Sequence, residues 1–425
     1  MHRCLSLPRR PFPGVHLVPI VMRKAISVLR IVLCAIVFLL TLEALTRLDD
    51  HLQFGAPFWG SYDFTRLTMR DRYGLIGRPN GRFLRWSMNG WGFRGPLPRS
   101  GTIRIVCLGA SETFGIGEDN NREFPRQLEE QLNQALGGRL IEVINLAVPG
   151  TSMRETVPRL PEIMDRYHPS FVTIYPSPAP YIFFTASHPS AASAPGPPPT
   201  LWVRIKRKIQ RWVPARALTL SQAVWRRLRY PDLPQARIEG RIEDLGARAL
   251  PARVLIWWRR READASVREH QLPVVDRLPD ENVEMFRSDL VAIVEFFRTR
   301  GVPVVLATHA QRFGDRVSPD EEGMLVKWRL FYPGLKEGGF LDMELRMNEA
   351  VRDVARGHGA VLADAARVVP PGPRYFADFV HFSNAGAERM AALLGWQLRP
   401  QNTILRGQIF ILQEKLLVHR SRHVR

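Results

Sequence analysis

The chain has 425 residues, 45% of them hydrophobic and 24% charged, with a formal net charge of +19. That length holds one large domain or two ordinary ones, and the composition excludes a disordered chain. Three cysteines, Cys4, Cys34 and Cys107, exclude a disulfide framework, and no His/Cys cluster has the spacing of a metal site.

The charge is local. Residues 1–24 carry five Lys/Arg and no acid, residues 201–270 carry 17 Lys/Arg against 7 Asp/Glu, and residues 406–425 carry five against one. These surpluses account for the whole net charge. Solvated basic faces of this kind suit an anionic lipid or polymer, here through residues 201–270. No zinc finger, RNA-binding signature or glycine-rich phosphate loop is present in the sequence, so nucleic acid is not expected as a partner.

In chain order, residues 1–24 form a basic head and residues 25–48 a membrane anchor. The clean apolar core of the anchor, Ile31 to Leu42, is short for a span of about 20 residues, and Arg30 and Glu43 can snorkel to the interfaces. Arg9, Arg10, Arg23 and Lys24 place the N-terminus in the cytoplasm, which makes a single-pass protein of a bacterial inner membrane with its remainder in the periplasm. A cleaved signal peptide is the alternative. Residues 49–100 read as irregular, with "SMNGWGFRGP" packed against the first strand.

Strands and helices then alternate. "IRIVCLG" is a strand, "FPRQLEEQLNQAL" a helix stopped at Gly137-Gly138, "IEVINLAVPG" a strand, "TVPRLPEIMDRY" a helix and "FVTIY" a strand. Residues 186–280 break the rhythm with a Pro-rich linker, "SHPSAASAPGPPPT", and basic helices such as "LWVRIKRKIQRWV" and "LSQAVWRRLRY". Such helices suit a membrane surface or a lid. From about residue 281 come the helix "NVEMFRSDLVAIVEFFRTRG", the strand "VPVVLATHA", the helix "FLDMELRMNEAVRDVARGHG", the short strand "AVLADAA" and the helix "SNAGAERMAALLGWQL". This pattern predicts an α/β fold, a three-layer doubly wound parallel sheet over residues 101–185 and 281–400, interrupted by the basic helical insertion and followed by a basic tail at 401–425.

In such sheets the working residues stand at the carboxyl ends of strands. Three loops qualify: "GASETFG" with Ser111, "NLAVPG" with Gly150, and "YFADFVHFSNAG" with Asp378 and His381. A serine hydroxyl attacks only when a base takes its proton, and an imidazole held in one tautomer by a carboxylate is the usual base. Asp-x-x-His on one tight turn brings those two groups side by side. Five other positions stand out. His309 ends a strand and either lines the site or faces solvent. Asp364 bounds a strand, Trp257 and Trp258 read as packing within the insertion, and Asn384 belongs with Ser383 to the cap of the last helix.

The three blocks together resemble those of the SGNH/GDSL hydrolases, over about residues 100–185 and 285–400. The resemblance implies a serine esterase with Ser111 as nucleophile, His381 as base and Asp378 as its orienter. It implies an oxyanion hole from the N–H groups of Ser111 and Gly150, and no cofactor or metal. The implied substrate is an O-acyl ester, such as an O-acetyl group on an envelope or exported carbohydrate. An O-acyltransferase would use the same triad, and an inactive polysaccharide-binding or assembly protein is the alternative without chemistry. Two positions depart from the pattern. Ala110 replaces the Asp of the first block, and Ala179 falls where the family carries an oxyanion-donating Asn. Loss of one such donor costs about 100- to 1000-fold in rate, and Ser177 is the candidate replacement.

Overall fold

The computed structural model describes residues 17–58, 64–138, 140–183, 250–270, 272–314, 317 and 321–398. The chain divides into two units, Met1–Gly60 and Ser61–Arg425. The first holds helix α1, Leu17–Phe54, longer at both ends than the expected anchor. Ile26–Asp49 within it is long and apolar enough to cross a membrane, which fits a membrane span or a signal sequence. Its apolar side chains, Cys34 among them, are exposed rather than packed in a core.

The second unit opens with two small hairpins where the sequence read as irregular. Strands β1 (Thr68–Asp71) and β2 (Gly74–Gly77) pair antiparallel, as do β3 (Arg82–Phe83) and β4 (Trp86–Ser87). The first turn is closed by Asp71, whose Oδ1 accepts the N–H groups of Tyr73 at 2.8 Å and Gly74 at 3.1 Å. Gly74 adopts φ +133° there, a conformation that only glycine takes cheaply.

The alternating elements follow. They are β5 (Ile103–Gly109), α2 (Ser111–Phe114), α3 (Phe124–Ala135), β6 (Ile141–Asn145), α4 (Met153–Thr156), α5 (Leu160–Tyr167) and β7 (Phe171–Tyr175). Pro158 and Pro161 split the single helix expected before β7 into α4, a 3-10 turn and α5. Of the insertion, helix α6, Leu250–His270, is described, while the expected helices at 201–213 and 220–230 and the tail at 401–425 lie outside the described residues. Then come α7 (Asp280–Arg298), β8 (Val304–Ala307), α8 (Glu322–Phe331), α9 (Glu337–His358), β9 (Val361–Ala363), α10 (Ala365–Val368) and α11 (Asn384–Gln397). Helix α8 had no counterpart in the sequence reading.

The five long strands form one parallel sheet in the order β6-β5-β7-β8-β9. Alternate residues of β5 feed opposite faces, as the period of two requires. Val106 and Leu108 enter a core with Phe286, Leu290 and Phe297 of α7 and Met343, Met347 and Val351 of α9. Ile103, Ile105 and Cys107 enter a second core with Phe124, Leu128 and Leu132 of α3 and Met390, Ala391 and Leu394 of α11. Helices therefore cover both faces of a doubly wound sheet, and every residue of β6 and β7 is buried. The strand order reverses between β5 and β7, and a ligand crevice forms outside the carboxyl ends of strands at such a switch point. Ser111 follows β5 and Ser177 follows β7.

Candidate active site

The turn after β5 is held from several sides. Gly109 has no room for a side chain: a Cβ there would stand 2.0 Å from Thr113 Oγ1 and 2.7 Å from the Tyr175 carbonyl. Ser111 opens the four-residue helix α2, and Gly115 closes it in the left-handed region at φ +87°. The carbonyls at the end of so short a helix need outside donors. Arg94 Nη1 donates to the Phe114 carbonyl at 2.7 Å and the Gly115 carbonyl at 2.6 Å, and Asn145 Nδ2 donates to the Thr113 carbonyl at 3.0 Å. Arg94 is itself 6% exposed and pairs with buried Glu123 at 3.0 Å. This is the physical reason for the "NGWGFRGP" stretch: its arginine caps the turn that carries Ser111.

Asp378 and His381 occupy one tight turn before α11. Asp378 Oδ1 accepts the N–H groups of Val380 at 3.0 Å and His381 at 2.8 Å, while Oδ2 lies 2.6 Å from His381 Nδ1. Burial acts to raise the Asp378 carboxyl, but the His381 charge and hydrogen bonds outweigh it and hold it at about 2. Burial acts to lower His381, but the charges of Asp378, Glu112 and Glu118 lift it to about 9. The turn is docked on the first loop. A Cβ on Gly117 would stand 2.3 Å from the Phe382 carbonyl and 3.3 Å from His381 Cβ. Asn384 accepts the Asp119 N–H at 2.9 Å and donates to its carboxylate at 2.5 Å. Asn384 therefore ties the two loops together, and Ser383 alone caps α11, accepting from Gly386 N at 3.3 Å.

His381 Nε2 is buried and has no hydrogen-bond partner, while Ser111 Oγ donates to Glu112 Oε2 at 3.1 Å. Glu112, which the sequence reading passed over, is 3% exposed. Its Oε1 accepts from Ser177 Oγ at 2.9 Å and lies 3.3 Å from His309 Nε2. His309 is neither a solvent-facing loop residue nor an isolated one. It is 2% exposed, and its Nδ1 lies 2.8 Å from Glu344 Oε2. Burial acts to lower the imidazole, but the two carboxylates raise it to about 10. Burial acts to raise the Glu112 carboxyl, and the His309 hydrogen bond and charge bring it down to about 2. Burial dominates at Glu344 and raises it. The hydroxyl proton of Ser177 is committed to Glu112, so Ser177 as placed does not offer it to an oxyanion.

Gly150 takes φ +82° in the loop after β6. Leu75 of the first hairpin stands 3.6 Å from where its Cβ would be. The same hairpin reaches α4 and the following turn, through close packing of Gly74 on Glu155 and an ion pair from Asp71 to Arg159. Ala179 starts a 3-10 turn, Ala179–Phe183, and brings no donor. Asp364 holds Thr308 at 2.9 Å and Arg352 at 2.9 Å, a structural role at the end of β9. Trp257 and Trp258 are 51% and 61% exposed, which corrects their reading as packing within the insertion. Helix α6 turns Ile256 and Ala263 inward instead, because the two tryptophans fall on its opposite face. Among the described residues no group of His, Cys, Asp and Glu is arranged to hold a metal.

No family model matches the chain, and no curated protein matches it. Solved structures do. The structural neighbours are GDSL/SGNH hydrolases and acylhydrolases. TesA is 13% identical at a TM-score of 0.36, covering 70% of this chain and 98% of its own. A lipase/acylhydrolase from Enterococcus faecalis is 15% identical at 0.36, covering 70% and 95%. A mutant acetyl-xylooligosaccharide esterase from Geobacillus is 14% identical at 0.35, covering 70% and 94%.

Proposed function

We propose that this protein is a serine ester hydrolase with Ser111 as nucleophile, His381 as base and Asp378 as its orienter. The observation that carries the reading is the Asp378–His381 pair at 2.6 Å, on a turn packed against the loop that bears Ser111. Asp378 fixes the proton on Nδ1 and leaves Nε2, which has no other partner, to accept the hydroxyl proton. Ser111 Oγ then attacks the ester carbonyl carbon, and the N–H groups of Ser111 and Gly150 receive the oxyanion. His381 returns the proton to the departing alcohol. Water, deprotonated by the same imidazole, frees the acyl group and restores the serine. Transfer of the acyl group to a sugar hydroxyl instead of water would use the same residues.

The substrate class we assign is an O-acyl ester on a carbohydrate outside the cytoplasm, O-acetyl esters in particular. A cleft of about 230 Å3 lies beside the Gly150 loop, and Ser111, Asp378 and His381 are not in its lining. Trp91 and Tyr167 line that cleft together with Asp71, Thr151, Arg159 and Glu162, a mixture of rings and hydrogen-bonding groups suited to a sugar. The apolar helix α1 would anchor the chain in the membrane, with the N-terminus cytoplasmic and the second unit periplasmic. On α6, Val254, Trp257, Trp258, Arg261 and Arg268 share the outward face, and we assign it to an anionic surface.

The test is labelling with a fluorophosphonate, comparing wild type with Ser111→Ala and His381→Ala, followed by a screen of O-acetylated sugars. Labelling lost in both variants supports the reading. A folded wild type that does not label, or that labels equally without Ser111, defeats it.

A further inference from the structure

The triad uses none of Glu112, Ser177, His309 and Glu344, each at most 5% exposed. The Glu112 carboxylate takes hydrogen bonds from Ser111 on Oε2 and from Ser177 on Oε1, with His309 Nε2 at 3.3 Å from Oε1. It cannot drift, because its partner is fixed in turn. His309 is held by Glu344 on its other ring nitrogen, its N–H and carbonyl are both bonded to Asn348, and its ring stacks on Tyr175 at 5.2 Å. A neutral imidazole has one N–H, and here both ring nitrogens face carboxylates, so the imidazolium satisfies both.

A serine hydroxyl has one proton to give. Given to Glu112, it is not given to His381, whose Nε2 is left without a partner. We propose that Glu112 is a second seat for the Ser111 hydroxyl, a positioning residue that holds the nucleophile off its base, with the His309–Glu344 pair fixing the seat. The inference rests on the reading of Ser111 as the nucleophile. Attack requires the hydroxyl to leave Glu112 and turn to His381, trading a hydrogen bond to a carboxylate for one to a neutral imidazole. The first is the stronger, and the difference holds back about tenfold of the reactive rotamer. The charges that bear on Glu112 are those of His309, Glu344 and His381, with the rings of Tyr175 and Tyr332 also close. Those that bear on His381 are Asp378, Glu112 and Glu118.

The experiment uses the full chain in detergent and follows fluorophosphonate labelling against pH for wild type, Glu112→Gln and Glu112→Asp. Aspartate keeps the charge beside His309 and draws the acceptor back from Ser111 by one methylene. Both variants are expected to label about tenfold faster at the alkaline plateau. Only Glu112→Gln moves the midpoint of the profile down, because only it removes a negative charge near His381. A folded Glu112→Asp protein with a plateau equal to wild type or lower overturns the proposal. The melting of Ser111→Ala reads the same contact without any labelling. Loss of the hydroxyl strips a donor from a buried carboxylate, so this variant melts lower than wild type by a few degrees. Unchanged or higher melting overturns the hold. Failure of the nucleophile reading looks different: wild type then does not label, or labels without Ser111.

Discussion

Asp378 Oδ2 and His381 Nδ1 meet at 2.6 Å within one turn, and the carboxylate is also held by two backbone N–H groups. The imidazole is therefore oriented and made more basic by the same neighbour. With His381 lifted to about 9, the imidazole is protonated at neutral pH and cannot accept a proton. Labelling and hydrolysis should rise as pH rises and level off above about pH 9. Stability runs the other way, because the folded value lies above the unfolded one of about 6.5. The stability that the pair gives is complete below that value and is lost as pH rises through about 9. A rate measured from pH 6 to 10 with a neutral ester checks the first part, and a plateau already reached at pH 7 would contradict it.

Asp378→Asn should keep the fold of the turn and lose the chemistry. The amide can still accept from the Val380 and His381 N–H groups, but it no longer fixes the imidazole tautomer or supports the imidazolium. The expected loss in kcat is on the order of 10^3 to 10^4 with little change in KM. Steady-state kinetics on any ester the wild type turns over would measure it.

Arg94 is the clearest case for a position other than Ser111, Asp378 and His381. It supplies the end of α2 with donors and neutralises Glu123, which is 2% exposed. Arg94→Ala should cost about 3–5 kcal/mol, the size seen when one member of a buried pair is removed. Lysine restores the charge but not the forked geometry, so Arg94→Lys should recover only part. Denaturant melts of the two variants would show the order wild type, Lys, Ala.

The signals that drew attention to Ser111, Gly150, Asp378 and His381 are local: a buried apolar run that ends in a serine turn, a Pro-Gly loop, and a carboxylate three residues before a histidine. The strands were legible for the same reason, since β5, β6 and β7 are short runs rich in Ile, Val and aromatic residues, interrupted by few polar ones. Arg94 left a signal too, in a glycine-rich stretch with one arginine. Of the Glu112–His309–Glu344 chain only His309 left one, as a histidine at a strand end. Its members are 197 and 35 residues apart and meet only because β8 pairs with β7 and α9 packs beneath it. The hairpin β1–β2 was hidden because its strands are only four residues long, although Asp71 and Gly74 mark its turn. Helix α8 carries Met324, Leu325 and Trp328 at helical spacing, so it could have been found.

Glu118 offers the sharpest test of the electrostatics. Both of its carboxylate oxygens are buried without a hydrogen-bond partner, and the residue is 0% exposed. Burial raises its carboxyl to about 8, with the charge of Arg94 opposing and that of Glu123 adding to the rise. A carboxyl whose folded value exceeds the unfolded one of about 4.3 contributes stability below that value and loses it as pH rises through about 8. Wild type should therefore weaken between pH 7 and 9 more than His381 alone explains. Glu118→Gln has nearly the same shape and cannot ionise, so it should be the more stable protein at pH 9, by about 1–3 kcal/mol, and no more stable at pH 5. The variant also removes a negative charge near His381, which should bring the alkaline limb of the activity down in pH. Paired melts at pH 5 and pH 9 decide the matter: an equal difference at the two values would mean that Glu118 does not titrate in this range.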